Sequence, residues 1–550
     1  MKKSYILIAL ALVAVAALGL YAGNNKDTKK AKEIKEFTAF FDTPNEVVRE
    51  ENNEIKELIA QKLGAKCQEI WLVGQTADEA IASYIASGEY PDFIAGDVNL
   101  YEAGALIPID EYWDNYPNIK NYMSAKEWDR YRREDGHIYW IPQFGIVKRE
   151  SAEVIHEGEA FWIQTRVLKW AGYPEIRTVE EYFALIEDYM IANPLAEDGH
   201  ENIPFMILCD DWRYFCLENP PQFLAGYPND GSCMVDRETL TVLDYSSSDT
   251  AREYFKLLNA QYHKGLIAEE SFTQSYREYL DKLTTGHVLG MVDQWWQFAY
   301  DVNATMEKMA DQGCGYVSLP ITMDADTKNQ WHVKRGNELN VASGVSITVG
   351  CQDIEGAMAF LNGLLEDEII TLRYWGIEGV DYEVGEDGVF YRTSEQRSMS
   401  RDGNYDAGHY CMYEQFPRFE GMLEDGINAF SPEYQPKEFI ESLPTDIKEC
   451  FEAYGCESYV EMLGSNEQPG PWYPMYSYSD TLTTSQPAGR VWKEMTDVKK
   501  MYLPQVIMTD DFDAMWEIYM ENYKACHPEI FLEEMQRELE RRIAVSLEDS

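Results

Sequence analysis

Glu36-Phe37-Thr38-Ala39-Phe40-Phe41, Glu69-Ile70-Trp71-Leu72-Val73 and Pro91-Asp92-Phe93-Ile94-Ala95 are short apolar runs, each followed by turn residues. The segments between them read as helices. After the first run, Thr43, Pro44 and Glu46 form a capping box with proline at the first helical position, so a helix is predicted to start there. Ile55, Leu58, Ile59 and Leu63 continue it at helical spacing, and Gly64 ends it. Thr76 and Glu79 make a second capping box ahead of Ala77, Ala80, Ile81, Tyr84 and Ile85, which lie on one face; Gly88 closes that helix. The pattern is βαβαβ, which implies an α/β fold with a mainly parallel sheet covered on both faces. Ligands of such sheets bind beyond the carboxyl ends of the strands, which singles out Asp42, Gln75 and Asp97. Capping alone accounts for Thr43 and Thr76; it accounts less well for those three.

Outward from this nucleus, His137-Ile138-Tyr139-Trp140-Ile141-Pro142-Gln143-Phe144 is an extended aromatic segment after a turn, read as the first crossing to a second unit. Runs at 204–208 and 288–292 are strands of that unit. The stretch 340–349 reads as a strand returning to the first unit, followed by a helix through Ala357, Phe360, Leu361 and Leu364. The expected division is 36–144 and 340–390 in one lobe, 145–339 and 391–550 in the other. The C-terminal part reads as long, aromatic and irregular until a helical pattern begins at Asp511. No internal repeat or low-complexity segment is visible.

The length of 550 residues exceeds what one hydrophobic core organises. A net charge of −49 effectively excludes nucleic acid as a partner and makes an anionic membrane surface an electrostatically poor one. With 45% hydrophobic and 13% aromatic residues the acid sits on a folded body, because disorder needs low hydrophobicity as well as charge. Lys2 and Lys3 precede the uncharged stretch 5–23, and polar residues 24–35 follow. This is expected to be an export signal, or an uncleaved anchor close to the ~20 residues that span a bilayer. The first cysteine beyond it is Cys67. The ten cysteines show no CxxC spacing and the eight histidines no zinc pattern, so buried free thiols and no metal are expected. Asp198-Gly199-His200-Glu201 reads as a solvated turn, and 381–387 lacks calcium-loop spacing.

The 14 tryptophans and 37 tyrosines offer flat apolar faces with polar edges, suited to sugar rings. Trp295 and Trp296, directly after the strand 288–292 and Asp293-Gln294, stand where a strand should emerge toward a cleft. Trp140, Gln143, Trp212 and Trp375 are further candidates, with packing as the competing role for each tryptophan. No GxSxG elbow, P-loop or strand-following GxGxxG is present. Glycoside hydrolysis needs only two carboxylates; Asp210-Asp211-Trp212 and Asp293-Gln294-Trp295 hold its natural candidates. No cofactor is expected.

Ser87-Gly88-Glu89-Tyr90-Pro91-Asp92, Gly104-Ala105-Leu106-Ile107-Pro108-Ile109-Asp110, residues 135–142 and Tyr374-Trp375-Gly376-Ile377-Glu378-Gly379-Val380-Asp381-Tyr382 together resemble family 1 extracellular solute-binding proteins. The likeness is to the long lipoprotein-type branch of Gram-positive bacteria and runs from about Glu36 to the C-terminal helix. It implies a type II periplasmic-binding-protein-like fold with hinge strands between two lobes. It further implies a monomer outside the cytoplasm that takes a carbohydrate or oligosaccharide into the cleft and delivers it to ABC permease subunits. Two features depart from the family: no cysteine stands at the lipid-attachment position, and Phe161-Trp162-Ile163-Gln164 replaces the usual Arg-x-Asp-Trp. A receptor that reports sugar to a membrane kinase would look the same, and a secreted glycoside hydrolase is the enzymatic alternative.

Overall fold

The structure is a computed structural model that describes residues 34–43, 49–50, 53–150, 153–329, 339–464 and 469–547. The expected export segment lies outside these residues, as do Pro44 and Glu46 of the first capping box. No helix among the described residues is long and apolar enough to cross a membrane.

In chain order the strands are β1 (Lys35–Phe41), β2 (Ala65–Trp71), β3 (Phe93–Ala95), β4 (Trp140–Ile141) and β5 (Val147–Arg149). Then come β6 (Glu159–Gln164), β7 (Ile203–Ile207), the hairpin β8 (Met234–Asp236) and β9 (Thr241–Leu243), β10 (Val288–Gln294) and β11 (Tyr316–Leu319). The chain ends its strands with β12 (Val345–Ile347), the hairpin β13 (Glu383–Val384) and β14 (Phe390–Tyr391), and β15 (Glu420–Gly421). The first sheet has the order β2-β1-β3-β12-β4, the second β11-β6-β10-β7. β1 runs parallel to β2 and β3, while β12 is antiparallel to both its neighbours. In the second sheet only β7 and β10 are parallel.

The local signals around β1–β3 act as the sequence implies. Thr76 and Glu79 form a reciprocal capping box, and Gly64 and Gly88 end their helices in the left-handed conformation, where a side chain would be strained. The first helix differs from expectation. It spans Glu54–Leu63 and is capped by Asn53, whose side chain accepts from the Lys56 amide; Arg49 and Glu50 are not helical. Trp140-Ile141 is not a crossing but the edge strand β4 of the first sheet. The region before Asp511 is also far from irregular, since it contains the helix Pro487–Met508 with Pro504 inside. Proline in a helical pattern reads as a stop, and here it stands in the last turn and a half, where packing against neighbouring helices outweighs one lost hydrogen bond.

Two hydrophobic cores follow. One gathers side chains between Phe37 and Ile146, between Leu339 and Ile370, and between Tyr410 and Tyr434. The other gathers Val154 to Ile321 and Phe439 to Leu539. The chain therefore crosses between Ile146 and Val154, between Ile321 and Leu339, and between Tyr434 and Phe439. Residues 410–434 belong with the first core, contrary to the expected boundary at 390. What holds them there is Arg373, fully buried on the helix Asp367–Tyr374. Its guanidinium donates to the carbonyls of Leu364, Met412, Tyr413, Phe416 and Pro417 at 2.7–3.1 Å. Trp375 is likewise buried, and its indole N–H donates to the Ala429 carbonyl at 2.9 Å.

Replacing Arg373 by methionine leaves these carbonyls unpaired in the interior. Arg373→Met is expected to lower the unfolding free energy by ~3 kcal/mol or more, read from urea melts. A loss below ~1 kcal/mol would mean that water replaces the guanidinium.

Candidate functional site

On the first lobe, the carboxyl ends of β1 and β3 bring acids together. Asp42 directly follows β1, and its carboxyl is pushed up to about 6, chiefly by burial, with Asp97 and Asp78 adding repulsion and its own backbone hydrogen bond opposing. Asp97 follows β3 and caps the helix Val98–Glu102, accepting from the Asn99 and Leu100 amides, so the capping reading holds for it after all. Burial, opposed by those amides, also raises its pKa. Gln75 is exposed on the loop after β2. Beyond β4, Gln143 is 8% exposed; its Nε2 donates to Gln415 Oε1 at 3.4 Å, and its own Oε1 has no hydrogen-bond partner among the described residues. Arg418 donates its backbone N–H to the Gln143 carbonyl and pairs with Glu420 at 3.1 Å. Its guanidinium lies 5.7 Å from the Phe144 ring centroid.

On the second lobe, the parallel strands β7 and β10 end side by side and present aromatics. Trp212 is 42% exposed and stacks on the half-buried Trp296, with centroids 5.8 Å apart and planes at 14°. Arg213 lies behind, its guanidinium 4.5 Å from the Trp212 ring and 3.9 Å from that of Tyr276, a stabilising cation–π stack. Its Nε has no partner among the described residues. Tyr300 stands four residues after Trp296 in the helix Trp295–Glu307, hence on the same face. It is 60% exposed, yet its hydroxyl is pushed well up, first by burial and then by Glu433, Glu157 and Glu414, with Arg418 opposing. Tyr300 is thus exposed yet faces charged groups of the other lobe. Glu433 behaves alike: it is exposed, and its carboxyl is pushed up to about 7 by burial and by Glu157.

The two walls face each other. Asp211 of the second lobe is raised by burial, and its charged neighbours include Asp78 of the first. Glu102 accepts from Thr483 at 2.9 Å and from Ser485 at 3.3 Å across the lobes. Tyr434 donates to Glu157, and Arg401 pairs with Glu307. A separate cavity of about 520 Å³ opens near Trp113, Trp128, Arg132, Lys148 and Phe419. Its lining comes from the first lobe alone, so lobe closure cannot grip a ligand there.

Several expected ligand residues are interior instead. Trp140 is 1% exposed and packs beneath Gly96, where an added Cβ would come within 2.8 Å of its ring. Trp295 packs on Trp162 and Tyr459 at centroid distances of 5.5 and 4.8 Å, and Trp375 is fully buried. Asp293 is fully buried too, and accepts from Tyr279 Oη at 2.6 Å, Gln297 Nε2 at 2.7 Å, the Gln294 amide at 2.7 Å and Cys216 Sγ at 3.5 Å. It ties three helices together beneath the Trp212–Trp296 pair. Sequence reasoning missed Asp78, Arg213, Tyr300, Arg418 and Glu433. The four-residue spacing from Trp296 could have found Tyr300; Arg418 and Glu433 carry no signal while their segment is assigned to the other lobe. The thiols are free, and all but Cys209 and Cys456 are buried.

No family model matches the chain. The fructooligosaccharide ABC transporter substrate-binding protein FusA of Streptococcus pneumoniae serotype 4 is 27% identical over 326 residues, covering 54% of this chain and 55% of that protein. The polygalacturonan/rhamnogalacturonan-binding protein YtcQ of Bacillus subtilis is 20% identical, covering 59% and 63%. The aligned part thus spans less than two thirds of either relative. The structure of FusA with fructo-nystose superposes with a TM-score of 0.64 at 17% identity, over 93% of this chain and 100% of that one. The fold is that of ABC-transporter substrate-binding proteins. The alginate-binding protein AlgQ2 shares it, with a TM-score of 0.62 at 16% identity over 92% of this chain and 98% of its own.

Burial pushes the Asp293 carboxyl up to about 7, against the hydrogen bonds it accepts. A carboxyl raised on folding contributes stability that is complete below its unfolded pKa, near 3.8, and is lost as pH rises through its folded value. Asp293→Asn lacks this titration. The variant is expected to gain on the wild-type protein by a few kcal/mol, on the order of one to two per pKa unit, between pH 4 and pH 7 and to gain nothing more above. Urea melts at pH 5 and pH 8 measure this, and parallel curves would refute it.

Proposed function

We propose that this chain is the extracytoplasmic solute-binding component of an ABC importer, holding an oligosaccharide between its lobes and delivering it to permease subunits. One observation carries the reading: an aromatic strip of exposed Trp212 and Tyr300 with half-buried Trp296 opposes polar side chains of the other lobe. Rings of this kind take the C–H faces of sugars, and the amides, carboxylates and guanidinium opposite take hydroxyls. The cleft is acidic, with Asp42, Asp78, Asp97, Asp211, Glu157, Glu414 and Glu433 around it. Its cations are engaged: Arg213 in stacking, Arg418 with Glu420, Arg49 with Glu414 and Lys500 with the Asp211 carbonyl. A polyanion would meet like charge, so the ligand is a neutral oligosaccharide rather than a uronate. Burial removes Asp293 from the carboxylates that a hydrolase could use. The chain acts as a monomer tethered or released by its N-terminal segment.

Calorimetry against neutral and uronate oligosaccharides, with chromatography of the recovered ligand, tests this. A neutral sugar should bind and return uncleaved, and Trp212→Ala or Trp296→Ala should each weaken it about tenfold to a hundredfold, ~1.4–2.8 kcal/mol. Preference for a uronate would overturn the ligand class; cleaved product would overturn the function.

A further inference from the structure

The turn at Asp198-Gly199-His200 is polar and exposed, as expected, but it does not stand alone. His287, 89 positions beyond Asp198, lies against it. Asp198 Oδ2 is 2.9 Å from His287 Nε2 and 3.1 Å from His200 Nδ1. The imidazoles stack with centroids 5.4 Å apart at 24°, and the three ligating atoms all lie within 4.8 Å of one another. The carboxylate's other oxygen, Oδ1, accepts the His200 amide at 3.0 Å, so the backbone of the turn fixes one oxygen and aims the other at both rings. Gly199, with φ 87°, allows that turn.

Two imidazoles and a carboxylate are ligands for zinc and its divalent transition-metal neighbours, whereas calcium takes six to eight oxygens. Ligand atoms about a tetrahedral zinc stand ~3.3 Å apart, given bonds of ~2.0–2.1 Å, close to the two carboxylate–imidazole separations here, with the imidazole nitrogens within 4.8 Å of each other. We propose that Asp198, His200 and His287 bind a zinc-type divalent cation, with water completing the shell. The place in the fold defines its role. The turn leads into β7, His287 directly precedes β10, and the Ile203 amide donates to the His287 carbonyl at 2.9 Å. The site therefore clasps the amino ends of two parallel strands, at the opposite end from their Trp212–Trp296 wall. It stabilises the second lobe and makes no contact with a cleft ligand.

The test uses the full chain without a polyhistidine tag, stripped with chelator, then titrated with zinc chloride and separately with calcium chloride by calorimetry and thermal melting. One zinc per chain is expected, with a raised melting temperature and no response to calcium. His200→Ala, a change at a side chain 74% exposed, should fold normally and lose the zinc response, as should His287→Ala. An absent zinc response, an equal response in both variants, or an equal effect of calcium would each overturn the site. None of these readouts depends on what the cleft binds.

Discussion

A guanidinium with no salt-bridge partner among the described residues holds the first lobe together. Arg373 is completely buried, and burial lowers its pKa, yet its charge is met by five backbone carbonyls. Four of these belong to residues 412–417, a segment with little regular structure of its own to satisfy them. The planar five-donor fork suits this task; a lysine ammonium would reach fewer acceptors and be harder to desolvate. The consequence extends past the core, because the same segment carries Glu414, Gln415 and Arg418 to the cleft. Trp375 repeats the device at Ala429, next to the strand pairing of β15 with β5. The wall facing the second lobe is therefore as rigid as the hydrogen bonds of Arg373 beneath it.

The second lobe solves the corresponding problem with an acid. Asp293 draws in donors from the helices that bear Cys216, Tyr279 and Gln297, and those helices seat Trp296 and the Trp212 loop. A hydrophobic residue there would pack without directional demand. The carboxyl instead specifies where each helix must stand, at the cost of a group that titrates within the neutral range. Both lobes thus place a buried polar centre under the surface that meets the cleft, and in each the exposed residues inherit their position from it.

The sequence exposed the βαβαβ nucleus because its signals are local: the Thr76–Glu79 capping box, C-terminal glycines and apolar runs act within a few residues. It could not show which aromatics face outward. Trp295 and Trp296 are adjacent in sequence, but the first turn of their helix sends one ring onto Trp162 and Tyr459 and the other onto Trp212. Trp140 is set inward by the edge strand β4, and Trp375 by the carbonyl it satisfies. The return of residues 410–434 to the first lobe rests on contacts tens to hundreds of residues apart, such as Cys67 N–H to Tyr413 Oη, which no periodicity records. The pairing of His287 with Asp198 was hidden for the same reason.

The two walls differ in kind, and that difference has a mechanical meaning for the proposed role. In that role, aromatic faces on the second lobe would hold a sugar by area, without demanding one hydroxyl pattern, and the polar groups of the first lobe would bond to its edges and discriminate. A ligand that met both walls would stabilise the closed arrangement by whatever it gained from bridging them. A ligand that filled only the aromatic wall would bind open and closed forms equally and shift nothing. In the proposed role capture and selectivity would thus be separable, the first resting on the Trp212–Trp296 pair and the second on residues whose segment Arg373 holds in place.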